Sequence, residues 1–135
     1  MKVLVDTPVW SYALRSKNKQ YQAEVNSLTS LIRDQRAIII GPIRQEILSG
    51  YSDLHNYRII KEKLSYFENT PILDVDYETA AEFSNQCRKK GIQGSHIDFL
   101  ICAVAIRIDI PIFTRDKDFE HYQKILSIKL FEIGG

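Results

Sequence analysis

Apolar residues cluster in short, nearly continuous runs at Val3 to Val5, Ala37 to Ile40, Ile72 to Val75, Ile110 to Phe113 and Ile128 to Phe131. Each run is β-prone and too short for a helix, the pattern of strands covered on both faces. Between them lie helical segments with recognisable ends. Thr7 and Pro8 read as an N-cap and a first helical position. Gly41 and Pro42 do the same for the segment around Gln45-Glu46-Ile47, which Gly50 stops. Ser52 to Phe67 and Asp76 to Lys90 form two longer helices, the second ending in Arg88-Lys89-Lys90 and Gly91, which suits a helix C-terminus. Ser95 caps an apolar helix from Ile97 to Ile108, and Asp109 to Pro111 returns the chain to a strand. A strand followed by a helix, repeated, predicts an α/β fold: one domain over residues 1–135, with a central parallel sheet of about five strands and helices on both faces.

Composition narrows this picture only a little. A chain of 135 residues is long enough to bury roughly two-thirds of its unfolded surface in a single core. Lys and Arg number 18 against 17 Asp and Glu, a balance that argues against gripping nucleic acid by bulk positive field and leaves local patches open. Cys87 and Cys102 lack the spacing of a zinc site or a disulfide framework, so buried reduced thiols are expected. The first residues form a strand instead of a leader, and no apolar stretch approaches the ~20 residues of a membrane span, so a cytoplasmic protein is expected.

One charge does not fit the strand pattern. Val3-Leu4-Val5 runs straight into Asp6, a carboxylate at the mouth of the first and most central strand. In open parallel sheets, ligands bind at the carboxyl ends of the strands. Three more acids can reach that rim: Glu46 on the helix after the second strand, Asp98 in the first turn of the helix after Ser95, and Asp116 in Thr114-Arg115-Asp116 at the end of the fourth strand. Each has an ordinary explanation. Asp98 stands at capping-box spacing from Ser95, Asp116 and Asp118 could cap a helix starting near Phe119, and Glu46 could face solvent. A turn aspartate explains the type of Asp6 but not its place.

Two carboxylates about 4 Å apart repel by roughly 4 kcal/mol at an effective dielectric near 20, so a cluster must be filled by protons or cations. Oxygen ligands without His or Cys select Mg²⁺ or Mn²⁺. Such an ion can activate water and steady a departing oxygen, which points to a metal-dependent nuclease.

With LVDTPVW, IRQEILSG, HIDFLICAVAI and IFTRDKDF in this order, the sequence resembles the PIN domain family along essentially its whole length, and more narrowly the VapC-type toxin ribonucleases of bacterial toxin–antitoxin pairs. The resemblance implies an acidic pocket of Asp6, Glu46, Asp98 and Asp116 that binds Mg²⁺ or Mn²⁺. Thr7 and Thr114 match hydroxyl positions that hold the acids or a water, and Asp118 matches a position that is often acidic. It also implies an endoribonuclease leaving a 3′-hydroxyl and a 5′-phosphate on structured RNA, a homodimer, and a cognate VapB-like antitoxin. Cys102 and Phe99 depart from the small residues common in that helix, which bears on packing.

Phosphate contacts position RNA without choosing its sequence. Arg115, Lys117 and Arg44 adjoin the acids, and Arg15 and Lys17 follow the first helix. Tyr51, His55, Tyr57 and Arg58 could stack on bases, though packing against a partner helix explains them better. Rival readings are a Mg²⁺-dependent phosphoryl-transfer domain of receiver or Toprim type, and a PIN-like module that binds RNA or protein without cutting. Receivers want paired acids after the first strand, and Toprim wants a Glu where Asp6 stands, so both phosphoryl-transfer folds fit less well.

Overall fold

In the computed structural model, residues 1–15 and 19–133 are described, and Lys17 lies outside them. Strands β1 (Val3–Val5), β2 (Ala37–Ile38) and β3 (Ile112–Phe113) form a parallel sheet in the order β2-β1-β3. Leu4 of β1 pairs with Ile38 on one side and with Ile112 on the other, and all three β1 side chains are fully buried. Helices α1 (Thr7–Arg15), α2 (Gln22–Arg33), α3 (Gly41–Ser49), α4 (Leu54–Leu64), α5 (Asp74–Lys89), α6 (His96–Arg107) and α7 (Asp118–Gln123), with a short 3-10 helix at Lys19–Tyr21, complete the order among the described residues. Helix α2 replaces what the apolar runs left blank between the first two strands. Other helix ends fall within one or two residues of those expected, apart from the C-terminus of α4, which stops at Leu64.

The sheet has three strands where about five were expected. Ile72 to Val75 is not a strand: Leu73 is the N-cap of α5, and Val75 is half exposed in the first turn of that helix. The cause is Asp76, whose Oδ2 accepts the Leu73 N–H at 2.8 Å and closes the helix start against the local β-propensity. At this edge only an isolated parallel bridge, Ile39 with Asn69, remains. Ile128 to Phe131 is likewise reduced to a single bridge, Leu130 with Ile112. That edge is short because β3 itself ends after Phe113, where Thr114 leaves the ladder to bond Asp6.

Helix α6 is apolar around its circumference, with Phe99 to Ala105 all buried, as a helix packed between other layers must be. Its last turn is fastened to the start of α5 by a two-pronged ion pair, Arg107 Nε to Asp76 Oδ1 at 2.7 Å and Arg107 Nη2 to Asp76 Oδ2 at 3.0 Å. Cys87 and Cys102 are both buried and unpaired, and burial pushes both thiols up, so neither is a nucleophile at neutral pH. No helix among the described residues is long and apolar enough to cross a membrane.

Candidate metal centre

The turn after β1 is built around Asp6. Its N–H donates to the Phe113 carbonyl at 2.9 Å as the last rung of the ladder, while its own carbonyl accepts the first helical N–H groups, from Val9 and Trp10. Asp6, not Thr7, is therefore the residue from which α1 starts. The buried Trp10 indole donates to the Val5 carbonyl at 3.0 Å and holds the chain in this turn.

The Asp6 carboxylate is only 5% exposed. Oδ1 accepts the Thr7 N–H at 2.8 Å and Oδ2 accepts the Thr114 hydroxyl at 2.8 Å. Burial pushes its pKa up to about 6, the two hydrogen bonds pull it down, and the charges of Asp98 and Glu46 push it up again. Glu46 reaches the same corner from α3, where its Oε1 accepts the Thr7 hydroxyl. Both threonine hydroxyls thus donate to acids, Thr7 to Glu46 and Thr114 to Asp6.

The Thr114 hydroxyl also accepts the Asp116 N–H at 3.0 Å, and Asp116 Oδ1 accepts the Asp118 N–H at 2.9 Å, so each residue of the turn sets the next. Asp98 arrives from α6. Its N–H donates to the Ser95 hydroxyl at 3.0 Å, the cap expected from the spacing, and its Oδ2 accepts the Tyr122 hydroxyl at 2.6 Å. Burial first, then the charges of Asp116 and Asp118, hold the Asp98 carboxyl above the usual range. One ligand oxygen from each of Asp98, Asp116 and Asp118 lies within 4.8 Å of the other two.

The sequence ranked Asp118 behind Asp6 and Glu46, and the structure reverses that order for the tightest group. Asp6 and Glu46 lie outside the trio, close enough for their charges to act on one another. Three convergent carboxylates near a buried fourth form an all-oxygen set of the kind that suits a hard divalent cation, whose charge would offset the upward push on Asp6 and Asp98.

The cations are deployed differently. Arg115 pairs through Nε with Glu24 Oε2 at 3.1 Å, while Arg115 and the exposed Lys117 line a cleft of about 330 Å³ beside Asp116. Arg44 is engaged by the fold: Nε donates to Asn69 Oδ1 at 2.9 Å, Nη1 to the Leu64 carbonyl at 2.8 Å, and Nη2 to the Phe67 carbonyl. The Arg15 guanidinium lies 5.4 Å from the centre of the Tyr51 ring. Tyr57 is half-buried, and His55 and Arg58 are exposed on α4.

Two residues of the site carried no signal in the sequence. Glu24 looks like any polar position of an amphipathic helix, yet it is buried. Tyr122, three residues after Phe119, reads as a core stripe and shows nothing of its hydroxyl.

Residues 3–125 match the model of the PIN domain. The chain belongs to the PIN domain family. Among relatives, the ribonuclease VapC11 of Mycobacterium tuberculosis is 30% identical over 129 residues, covering 94% of this chain and 96% of the relative. Among solved PIN-like structures, FitAcB from Neisseria gonorrhoeae superposes with a TM-score of 0.77 at 20% identity, covering 96% of each chain. VapBC2 from Rickettsia felis, bound to a DNA fragment from their promoter, does so with a TM-score of 0.74 at 20% identity, covering 97% and 98%. Membership of the PIN family sets aside the receiver and Toprim readings.

Proposed function

We propose that this chain is a metal-dependent endoribonuclease, the toxin of a toxin–antitoxin pair. The observation that carries the reading is the convergence of Asp98, Asp116 and Asp118 over the buried Asp6. Kinship with a protein named as a VapC ribonuclease supports the substrate class. Likeness to a VapBC pair supports a VapB-like antitoxin as partner, and a homodimer is carried over from the family resemblance alone.

In this reading Asp98, Asp116 and Asp118 hold Mg²⁺ or Mn²⁺. A bound divalent ion supplies Lewis acidity toward a phosphodiester oxygen and lowers the pKa of an attacking water. Asp6 forms the floor of the site, where burial holds its carboxyl above the usual range in the metal-free protein. Glu46, exposed and fixed through Thr7, stands at the rim as an acceptor for the attacking water's proton. Thr114 keeps Asp6 and Asp116 in one register. Arg115 and Lys117 place the RNA strand by its phosphates.

Purified protein incubated with RNA is expected to cleave it with Mg²⁺ or Mn²⁺ and to stop on chelation, and Asp116→Asn is expected to abolish cleavage with the fold intact. Cleavage indifferent to chelator and to Asp116→Asn sinks the proposal. Tight RNA binding with no cleavage under any divalent ion means a binding module instead.

A further inference from the structure

We propose that Tyr122 is a positioning residue for Asp98: its hydroxyl holds one carboxylate oxygen so that the other is presented to the divalent ion, and Gly94 provides the space this requires. The inference rests on the metal-dependent reading above.

Tyr122 is fully buried, its ring packed against Phe99 at 5.0 Å and edge-on against Phe119 at 5.1 Å between centroids. A buried phenol usually finds a hydrogen-bond partner, although the buried Tyr51 hydroxyl has none among the described residues. This one finds Oδ2 of Asp98, at 2.6 Å, in the range of a charge-assisted bond. Asp98 is thereby held from two sides, by Ser95 at its N–H and by Tyr122 at its carboxylate. With Oδ2 engaged by the phenol, Oδ1 is assigned to a cation shared with Asp116 and Asp118. Ligating carboxylates are oriented in this way by outer hydrogen bonds, whose loss costs about 10–100-fold in metal affinity.

Gly94 reports how little freedom the ring has. A Cβ there would stand 2.8 Å from Tyr122 Cζ and 2.9 Å from Phe99 Cζ, and nearer still to the phenol oxygen. Any side chain at residue 94 must displace the tyrosine, and with it the bond to Asp98. Glycine is required for space here, not for backbone conformation.

The test is Mn²⁺ binding by calorimetry to the metal-free full-length protein. Tyr122→Phe keeps the ring and its packing and removes only the donor. It is expected to weaken Mn²⁺ binding by about 10–100-fold, and Gly94→Ala is expected to weaken it in the same direction. Mn²⁺ is also expected to give a tyrosine difference spectrum in the wild type that Tyr122→Phe loses, a readout that a purely packing role would not move. Tyr122→Phe protein that binds Mn²⁺ within twofold of wild type, or more tightly, overturns the inference, whatever Gly94→Ala does. A wild type that takes up no Mn²⁺ overturns the metal-centre reading and this inference with it, whereas normal wild-type binding matched by Tyr122→Phe overturns this inference alone.

Discussion

Thr114 donates its hydroxyl to Asp6 across 108 residues of sequence, joining the end of β3 to the end of β1 by a bond between side chains. The same oxygen accepts the Asp116 N–H. Thr114→Val keeps the shape and removes both contacts. It is expected to destabilise the protein by ~1–3 kcal/mol, the cost of leaving buried polar groups unpaired. Because the hydroxyl is one of the groups that lowers the Asp6 pKa, the variant is also expected to move Asp6 further up. Chemical denaturation and a carboxyl ¹³C NMR titration of Asp6 check the two effects. An unshifted titration would mean that Thr114 does not stabilise the carboxylate.

Asp6 itself makes stability depend on pH. Its pKa is about 6 in the folded chain and about 3.9 unfolded. Between those values the folded state binds more protons, so metal-free stability is highest at low pH within this window and falls as pH rises toward 6. The full ionic penalty is ~3 kcal/mol at pH 7 and above. Asp6→Asn removes that penalty and gives up part of two hydrogen bonds, so a net gain of ~1–2 kcal/mol is expected at pH 8, vanishing near pH 4. Denaturant midpoints at both pH values, in chelator, measure it. A loss of stability at pH 8 would make Asp6 chiefly a helix cap.

The same argument sets the response to metal. A ligand that binds only the folded state stabilises by about 2.7 kcal/mol at 100 times its dissociation constant. Mg²⁺ or Mn²⁺ is therefore expected to raise the melting temperature of the wild type and to do so less for Asp6→Asn, whose charge no longer helps retain the ion. Melting curves with and without chelator decide, and no response to either ion in the wild type counts against the site.

Glu24 and Arg115 form an ion pair, with Arg115 next to Asp116 in the chain. If Arg115 holds an RNA phosphate, Arg115→Ala lowers the slope of log affinity against log salt by about 0.7 for a single strand. Fluorescence anisotropy with a short RNA, in an Asp98→Asn background that cannot consume it, gives that slope. An unchanged slope assigns Arg115 to Glu24 alone.

The Arg107–Asp76 pair makes a contrasting prediction, remote from the chemistry. Arg107→Ala leaves Asp76, 1% exposed, without its partner. A loss of ~2–4 kcal/mol is expected from the stranded carboxylate. Although α6 carries Asp98, Arg107 lies at the opposite end of that helix, so cleavage is expected to fall only as the folded fraction falls. Denaturation and activity measured on the same samples separate the two, and lost activity in fully folded protein would contradict it.

Asp6 was legible in the sequence because it breaks a rule: a buried strand should not end in a charge. Asp98 and Asp116 were legible by their place after strand ends and caps, and the four motifs brought the family with them. What stayed hidden was tertiary. Ile72 to Val75 has the composition of a strand, and only the reach of Asp76 to the Leu73 N–H turns it into a helix start. Glu24 and Tyr122 look like face and core residues, since their partners, Arg115 and Asp98, are 91 and 24 residues away in the chain. Arg44 was misleading for the same reason, because the carbonyls it serves belong to Leu64 and Phe67.

The dependence of Asp6 on Thr114 also has a bearing on synthesis. A chain still being made carries Asp6, Glu46 and Asp98 long before Thr114, Asp116 and Asp118 emerge, and Tyr122 follows later still. Thr7 can link Asp6 to Glu46 early, but Asp116 and Asp118 join them only once that stretch is folded onto β1. On the proposed reading, the site can hold its ion only after residues 114–122 have been made and folded onto β1 and Asp98.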